Sequence, residues 1–201
     1  MDCDIHIVDR LPIPAASEIP TVAHGEANGL VGAAVTIAST RPPPDWWRVL
    51  QSPETADDWL PEEIGIRRSE RLGPTAVYQA VDISVLFGAF HFARQSVVNI
   101  EWLEHGDRLK SCWIADAPAN WPATQAWDTG AKWQEHATGG WLVTPSGSGS
   151  VATYRVWANA ETVFPALQSW AVGRTLPAMI LAYAARVESL SEPTHSTVSP
   201  P

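Results

Sequence analysis

Cysteine is almost absent from this chain: 201 residues carry only Cys3 and Cys112. Two thiols so far apart form neither a zinc-binding spacing nor a disulfide framework, and a bridge between an N-terminal tail and a mid-chain strand is not expected. Basic residues are also scarce, with 13 Lys and Arg against 22 Asp and Glu, a formal net charge of −9, and no basic run longer than Arg67–Arg68. Such a balance argues against nucleic acid or anionic lipid as a standing partner. No histidine pair has i, i+4 spacing and no H-E-x-x-H occurs, so a metal site has no support. The G-x-S-x-G, G-x-G-x-x-G and P-loop signatures are missing, and no Cys–His or Ser–His arrangement supports nucleophilic catalysis. Gly147–Ser148–Gly149 follows Pro145 in a hairpin connection, which makes it a turn rather than a phosphate cradle. No cofactor is called for. The N-terminus, Met1–Asp2–Cys3–Asp4, lacks the positive flank and apolar run of a secretory signal, so a cytoplasmic location is expected.

Uninterrupted apolar runs are lacking too. The longest candidate, Thr162 to Leu190, reads as one helix with a single charge, Arg174, before Ala185. Gln168, Ser169, Gly173, Arg174, Thr175 and Pro177 break it too often for stable membrane insertion. Its apolar residues nevertheless surround the axis instead of forming one stripe, so it must be covered on more than one side. Pro177 frees the carbonyl of Gly173 and is expected to bend the helix, either to follow a curved sheet or to shape a pocket mouth.

Against these absences stand eleven tryptophans, a hydrophobic content of 45% and a charged content of 17%. The composition is that of a globular protein, and this length supports one domain burying roughly 70% of the surface its unfolded chain exposes. So many indoles serve either as packed core or as the walls of a pocket for a flat or greasy ligand.

Residues 1–28 hold Pro12, Pro14, Pro20 and Gly25 without a sustained period and read as an irregular arm, and residues 191–201 read as a disordered tail. Between them, residues 29–190 are expected to form the domain. Gly29 to Ser39 is a strand rich in Val and Ile, and a helix starts near Pro43 or Pro44 and stops before Pro53. A second short helical turn, Thr55 to Leu60, ends at Pro61. Six strands follow: Glu63–Leu72, Thr75–Ser84, Phe90–Leu103, Arg108–Ala115, Gly130–Thr144 and Val151–Ala158. Short connections make them an antiparallel meander, seven strands in all, and the long helix closes an α+β domain.

In this order the segments resemble a known superfamily. Pro42-Pro43-Pro44-Asp45-Trp46-Trp47 with Trp59-Leu60-Pro61 looks like the opening of START-like (SRPBCC, polyketide cyclase) proteins. Thr75 to Ile83 with Arg94 and Gln95, Gly140-Trp141-Leu142-Val143-Thr144-Pro145 with Thr153-Tyr154-Arg155-Val156, and Phe164-Pro165 resemble its later motifs, over residues 30–190. Gln95 departs from the pattern, standing where the family carries an acid. The resemblance implies a helix-grip fold: a curved seven-stranded sheet wrapped around the C-terminal helix, with a cavity between them.

Strand alternation nominates residues for that space. Phe90, Phe92, Arg94, Ser96, Val98, Ile100 and Trp102 share the apolar face of their strand, so Arg94 points inward. A buried arginine needs a partner, either in a structural ion pair or as the anchor of a ligand carboxylate, phosphate or enolate. Glu135, on the face of Trp133 and Trp141, is a candidate partner. Histidines 91, 105 and 136 are read as solvated. The expected function is binding, or transport, of a hydrophobic small molecule such as a lipid or an aromatic metabolite. Its walls are Phe92, Val98, Ile100, Trp113, Trp133, Trp141, Tyr154, Trp170 and Met179, with Arg94 and Glu135 as polar contacts. The alternative is a cyclase or dehydratase in which Arg94, Glu135 and Tyr154 handle an enolate.

Overall fold

The computed structural model describes residues 11–27, 30–62, 66–85, 90–105, 107–116, 120, 131–134, 136–159 and 165–190. Strand β1 (Thr21–Ala27) pairs with β2 (Leu30–Ser39), and helix α1 (Pro43–Leu50) follows. A 3-10 turn at Pro53–Thr55 leads into the short helix α2 (Ala56–Trp59). Strands β3 (Ile66–Arg71), β4 (Ala76–Val85), β5 (Phe90–His105), β6 (Arg108–Asp116), β7 (Lys132–Trp133), β8 (Ala137–Ser146) and β9 (Gly149–Asn159) complete the sheet before helix α3 (Pro165–Glu188). Strand order is β1-β2-β9-β8-β6-β5-β4-β3, antiparallel throughout, with the two-residue β7 added in parallel to β5. The first and last long strands of the domain, β2 and β9, therefore meet at the centre.

Local chemistry explains the helices. Pro43 and Pro44 occupy the first turn of α1, where a missing N–H is harmless. The C-terminal end of α3 is fastened to the turn after β2. Glu188 accepts hydrogen bonds from the Ser39 hydroxyl at 2.9 Å, the Thr40 hydroxyl at 2.8 Å and the Thr40 N–H at 3.2 Å, and Arg41 donates to the Leu190 carbonyl. Among the described residues no helix is long and apolar enough to cross a membrane.

The inner face of the sheet, towards α3, holds the main core of Ala33, Val35, Ile37, Leu109, Trp141, Val143 and Ala152 beneath Leu176, Ile180, Tyr183 and Val187 of the helix. The outer face is buried as well. Trp157, 1% exposed, lies across Gly32, its register partner on β2, and reaches Gly25 one strand further, and Leu11 packs on top of it. A β-carbon at Gly32 would stand 2.4 Å from that indole, so this position accepts only glycine.

Four sequence expectations change here. The sheet has nine strands instead of seven, partly because residues 21–27 of the supposedly irregular arm form β1. Gly25, read as a breaker, lies inside β1 in register with Gly32. The single strand expected over 130–144 is two. Strand β6 pairs only with Val97–His105 of the sixteen-residue β5, leaving the edge at Arg94 and Gln95 for Lys132 and Trp133. Cys112, for which a bridge was not expected, is disulfide-bonded; it lies on the outer face beside Gly140.

Candidate functional site

Register sets the site. One inner-face row across the sheet runs Trp102, Ser111, Trp141, Tyr154 and Val35, and the next runs Ile100, Trp113, Gly139, Val156 and Ala33. Trp113 occupies the space a side chain at position 139 would take, its ring edge 2.6 Å from where a β-carbon would sit. Laid flat in this way, Trp113 donates a side-chain hydrogen bond to the Tyr154 hydroxyl one strand beyond Gly139.

The first row continues into an aromatic cluster under the C-terminal half of α3. Trp141 stands 4.8 Å from Tyr154, 4.9 Å from Tyr183 and 6.0 Å from Trp46, and Tyr183 meets Trp59 edge-on at 4.8 Å. Offsets and tilts of this kind suit the ring quadrupoles. Burial pushes the Tyr183 phenol up to about 12. Burial, and then the nearby Tyr183, drive the Tyr154 phenol further above its ordinary value, with the Trp113 hydrogen bond offsetting part of the shift. Both hydroxyls stay protonated at neutral pH. The Trp46 Nε1 is fully buried with no hydrogen-bond partner, a state that costs about 1–3 kcal/mol unless something supplies an acceptor.

The second row belongs to a separate apolar cluster. Val77, Val98 and Ile100 are buried together with Trp102 and Trp113 against them. Helix α3 runs over β2 and β1 and against α1, with no comparable approach to β4, β5 or β6 among the described residues. Among the described residues, the aliphatic face of β4–β6 is thus buried without being packed on the helix. Trp102 belongs to both clusters and meets Trp47 edge-on at 4.7 Å, forming the partition between them.

Of the nominated wall residues, Val98, Ile100 and Trp113 gather in this second cluster, while Trp141, Tyr154 and Met179 belong to the first. Trp133 is a correction. It lies beside Gln95 in the parallel pair, shares that residue's outer face, and packs with Ala76, Tyr78, Ala80 and Val97. Alternation counted back from Trp141 failed because the chain leaves the sheet between Trp133 and Ala137. Glu135 lies outside the described residues, as do the side chains of Phe92 in β5 and Trp170 in α3. Sequence reasoning passed over Val77, Trp102 and Tyr183. Tyr183 was signalled by its spacing from Leu176, Met179 and Ile180, which places all four along one side of the helix.

Arg94 points inward, half-buried, beside Lys132 on β7. Its guanidinium donates to the Ala93 carbonyl at 3.0 Å, and burial pulls its pKa below the ordinary value. Gln95 turns the other way, 7% exposed, donating to the Ala131 carbonyl at 2.8 Å and sharing a 3.2 Å hydrogen bond with the Tyr78 hydroxyl. An Arg–acid pair on consecutive residues is therefore not what this strand builds: the second position serves the outer face. No group of three or more potential metal ligands occurs among the described residues.

No family model and no curated protein matches the sequence. In structure the chain is similar to the STAR-related lipid transfer protein of Xanthomonas axonopodis, with a TM-score of 0.67 at 18% identity over 89% of this chain and 98% of that one. It is also similar to human StAR-related lipid transfer protein 5, with a TM-score of 0.66 at 8% identity over 92% and 91% of the two chains. The Zhui aromatase/cyclase of Streptomyces sp. R1128 superposes with a TM-score of 0.52 at 14% identity, over 79% and 94%. The chain has the START-type, or helix-grip, fold.

Proposed function

We propose that this protein binds a hydrophobic small molecule, a lipid or a polycyclic or aromatic metabolite, between the β4–β6 half of the sheet and helix α3. One observation carries the reading: the inner aliphatic face of Val77, Val98 and Ile100 is buried yet separate from the helix-packed core. An interior lined this way, with few polar groups, favours an apolar guest. Arg94, at the far end of β5, suits an anionic group on the guest. Lipid-transfer proteins among the structural neighbours support this reading.

The cyclase alternative draws on the aromatase/cyclase neighbour and on Tyr154. A phenol held far above its ordinary pKa is a poor proton shuttle near neutrality, so carriage is preferred to catalysis. Titration with an environment-sensitive apolar fluorophore, followed by displacement with long-chain lipids and with polycyclic aromatics, tests the proposal. Saturable micromolar binding with displacement by one of these classes supports it. The absence of saturable binding overturns it.

A further inference from the structure

We infer that the guest is a phosphate-bearing amphiphile, its tail on the face of Val77, Val98 and Ile100 and its phosphate between Arg94 and Lys132. The assignment rests on the guest space proposed above and adds a headgroup and an orientation.

Register across β4–β7 grades the inner face from apolar to cationic. Val77, Val98 and Ala115 form one row, all of them buried. The next row along β5 sets Ser96 opposite Gln79, both half-buried. In the row after that, Arg94 has Val81 on one side and Lys132 on the other. Paired residues of adjacent strands share a face, so the two cations stand on strands about 5 Å apart, roughly 13 Å along β5 from Val98. Lys132 is exposed and Arg94 half-buried, which puts the headgroup where this face meets solvent. Ser96 and Gln79, between tail and head, suit ester or hydroxyl oxygens next to a phosphate.

Lys132 is held beside Arg94 by contacts that do not require a lysine. The two-residue β7 is fastened from the outer face and along its backbone. Gln95 donates to the Ala131 carbonyl at 2.8 Å, the Gln134 N–H donates to the Gln95 carbonyl at 2.8 Å, and the Trp133 indole donates to the Asp116 carbonyl at 3.1 Å. The Trp133 ring packs with Tyr78 and Val97 behind the sheet. What this anchoring delivers to the inner face is an ammonium beside a guanidinium. Like charges opposite each other on neighbouring strands repel, and the chain has 22 acidic residues against 13 Lys and Arg from which to fill such a pair. Two adjacent cations are thus a poor choice for folding and a good one for holding an anion. The guanidinium offers a planar fork and the ammonium a compact charge. Together they match the several oxygens of a phosphate monoester, whose charge near neutrality exceeds that of a carboxylate.

Displacement of a bound apolar fluorophore from the full chain by dodecyl phosphate, dodecanoate and dodecanol tests this, with inorganic phosphate as a further arm. Dodecyl phosphate should bind at least about tenfold more tightly than dodecanol, with dodecanoate between them. Inorganic phosphate should displace nothing. Lys132→Gln should shrink the preference for dodecyl phosphate over dodecanol by about threefold to tenfold, and Lys132→Arg should restore it. The inference is overturned, with the apolar guest space left standing, if either dodecanol or dodecanoate equals dodecyl phosphate, if Lys132→Gln keeps the full preference, or if inorganic phosphate alone displaces the fluorophore. A fluorophore that never binds saturably overturns both.

Discussion

Trp113 lies face-down on Gly139, so close that a β-carbon on the glycine would stand 2.6 Å from Trp113 Cζ2 and 2.5 Å from the Arg155 carbonyl oxygen. The contact fixes the indole that forms one wall of the inner face and supplies the hydrogen bond to Tyr154. Gly139→Ala must therefore push Trp113 off the sheet. We expect a stability loss of about 1–3 kcal/mol by denaturant unfolding, together with weaker binding of the apolar fluorophore.

Ile100→Trp separates a guest space from a filled core. If the space beside Ile100 is open to a guest, the added indole takes the guest's place: binding falls at least about tenfold while stability changes by less than about 1 kcal/mol. A solid core would instead lose about 1–3 kcal/mol to overpacking. Calorimetry and fluorophore titration on the same preparation distinguish the two.

Arg94→Leu probes the polar end of the space. An anionic amphiphile should lose about tenfold to a hundredfold in affinity, and a neutral analogue should bind as before. Equal loss for both would make the arginine a structural residue.

The latch at the end of α3 carries a pH dependence. Burial alone would raise the Glu188 carboxyl, but the Thr40 and Ser39 hydroxyls, the Thr40 N–H and the Arg41 charge together hold it below the ordinary 4.5. A carboxyl with a lowered folded pKa stabilises above its unfolded pKa and loses that contribution as pH falls through the folded value. Wild type should thus melt about 2–4 °C above Glu188→Gln at neutral pH, and the two curves should converge as pH falls through the lowered folded pKa of the carboxyl. Parallel curves down to pH 3 would exclude the latch.

The sheet and the grip helix were legible because their signals are periodic. Alternation along β5 assigned Arg94, Val98 and Ile100 to the inner face and Gln95 to the other, and the crowded Thr162–Leu190 segment announced a helix needing cover on several sides. What stayed hidden depends on partners distant in sequence. Trp133 changed faces because its strand is interrupted and re-paired with the free edge of β5, and no local pattern records that edge. Gly25 looks like a breaker until Trp157, 132 residues later in the numbering, is laid upon it.

Native mass spectrometry of the freshly purified chain is the most direct measurement of whether sheet and helix hold a guest. The expected spectrum shows, beside the 21.8 kDa chain, a species heavier by a few hundred daltons, on the order of one lipid or polycyclic molecule. That species should vanish in Ile100→Trp. A spectrum containing only the bare chain, from protein that also fails to take up any apolar compound afterwards, would contradict it.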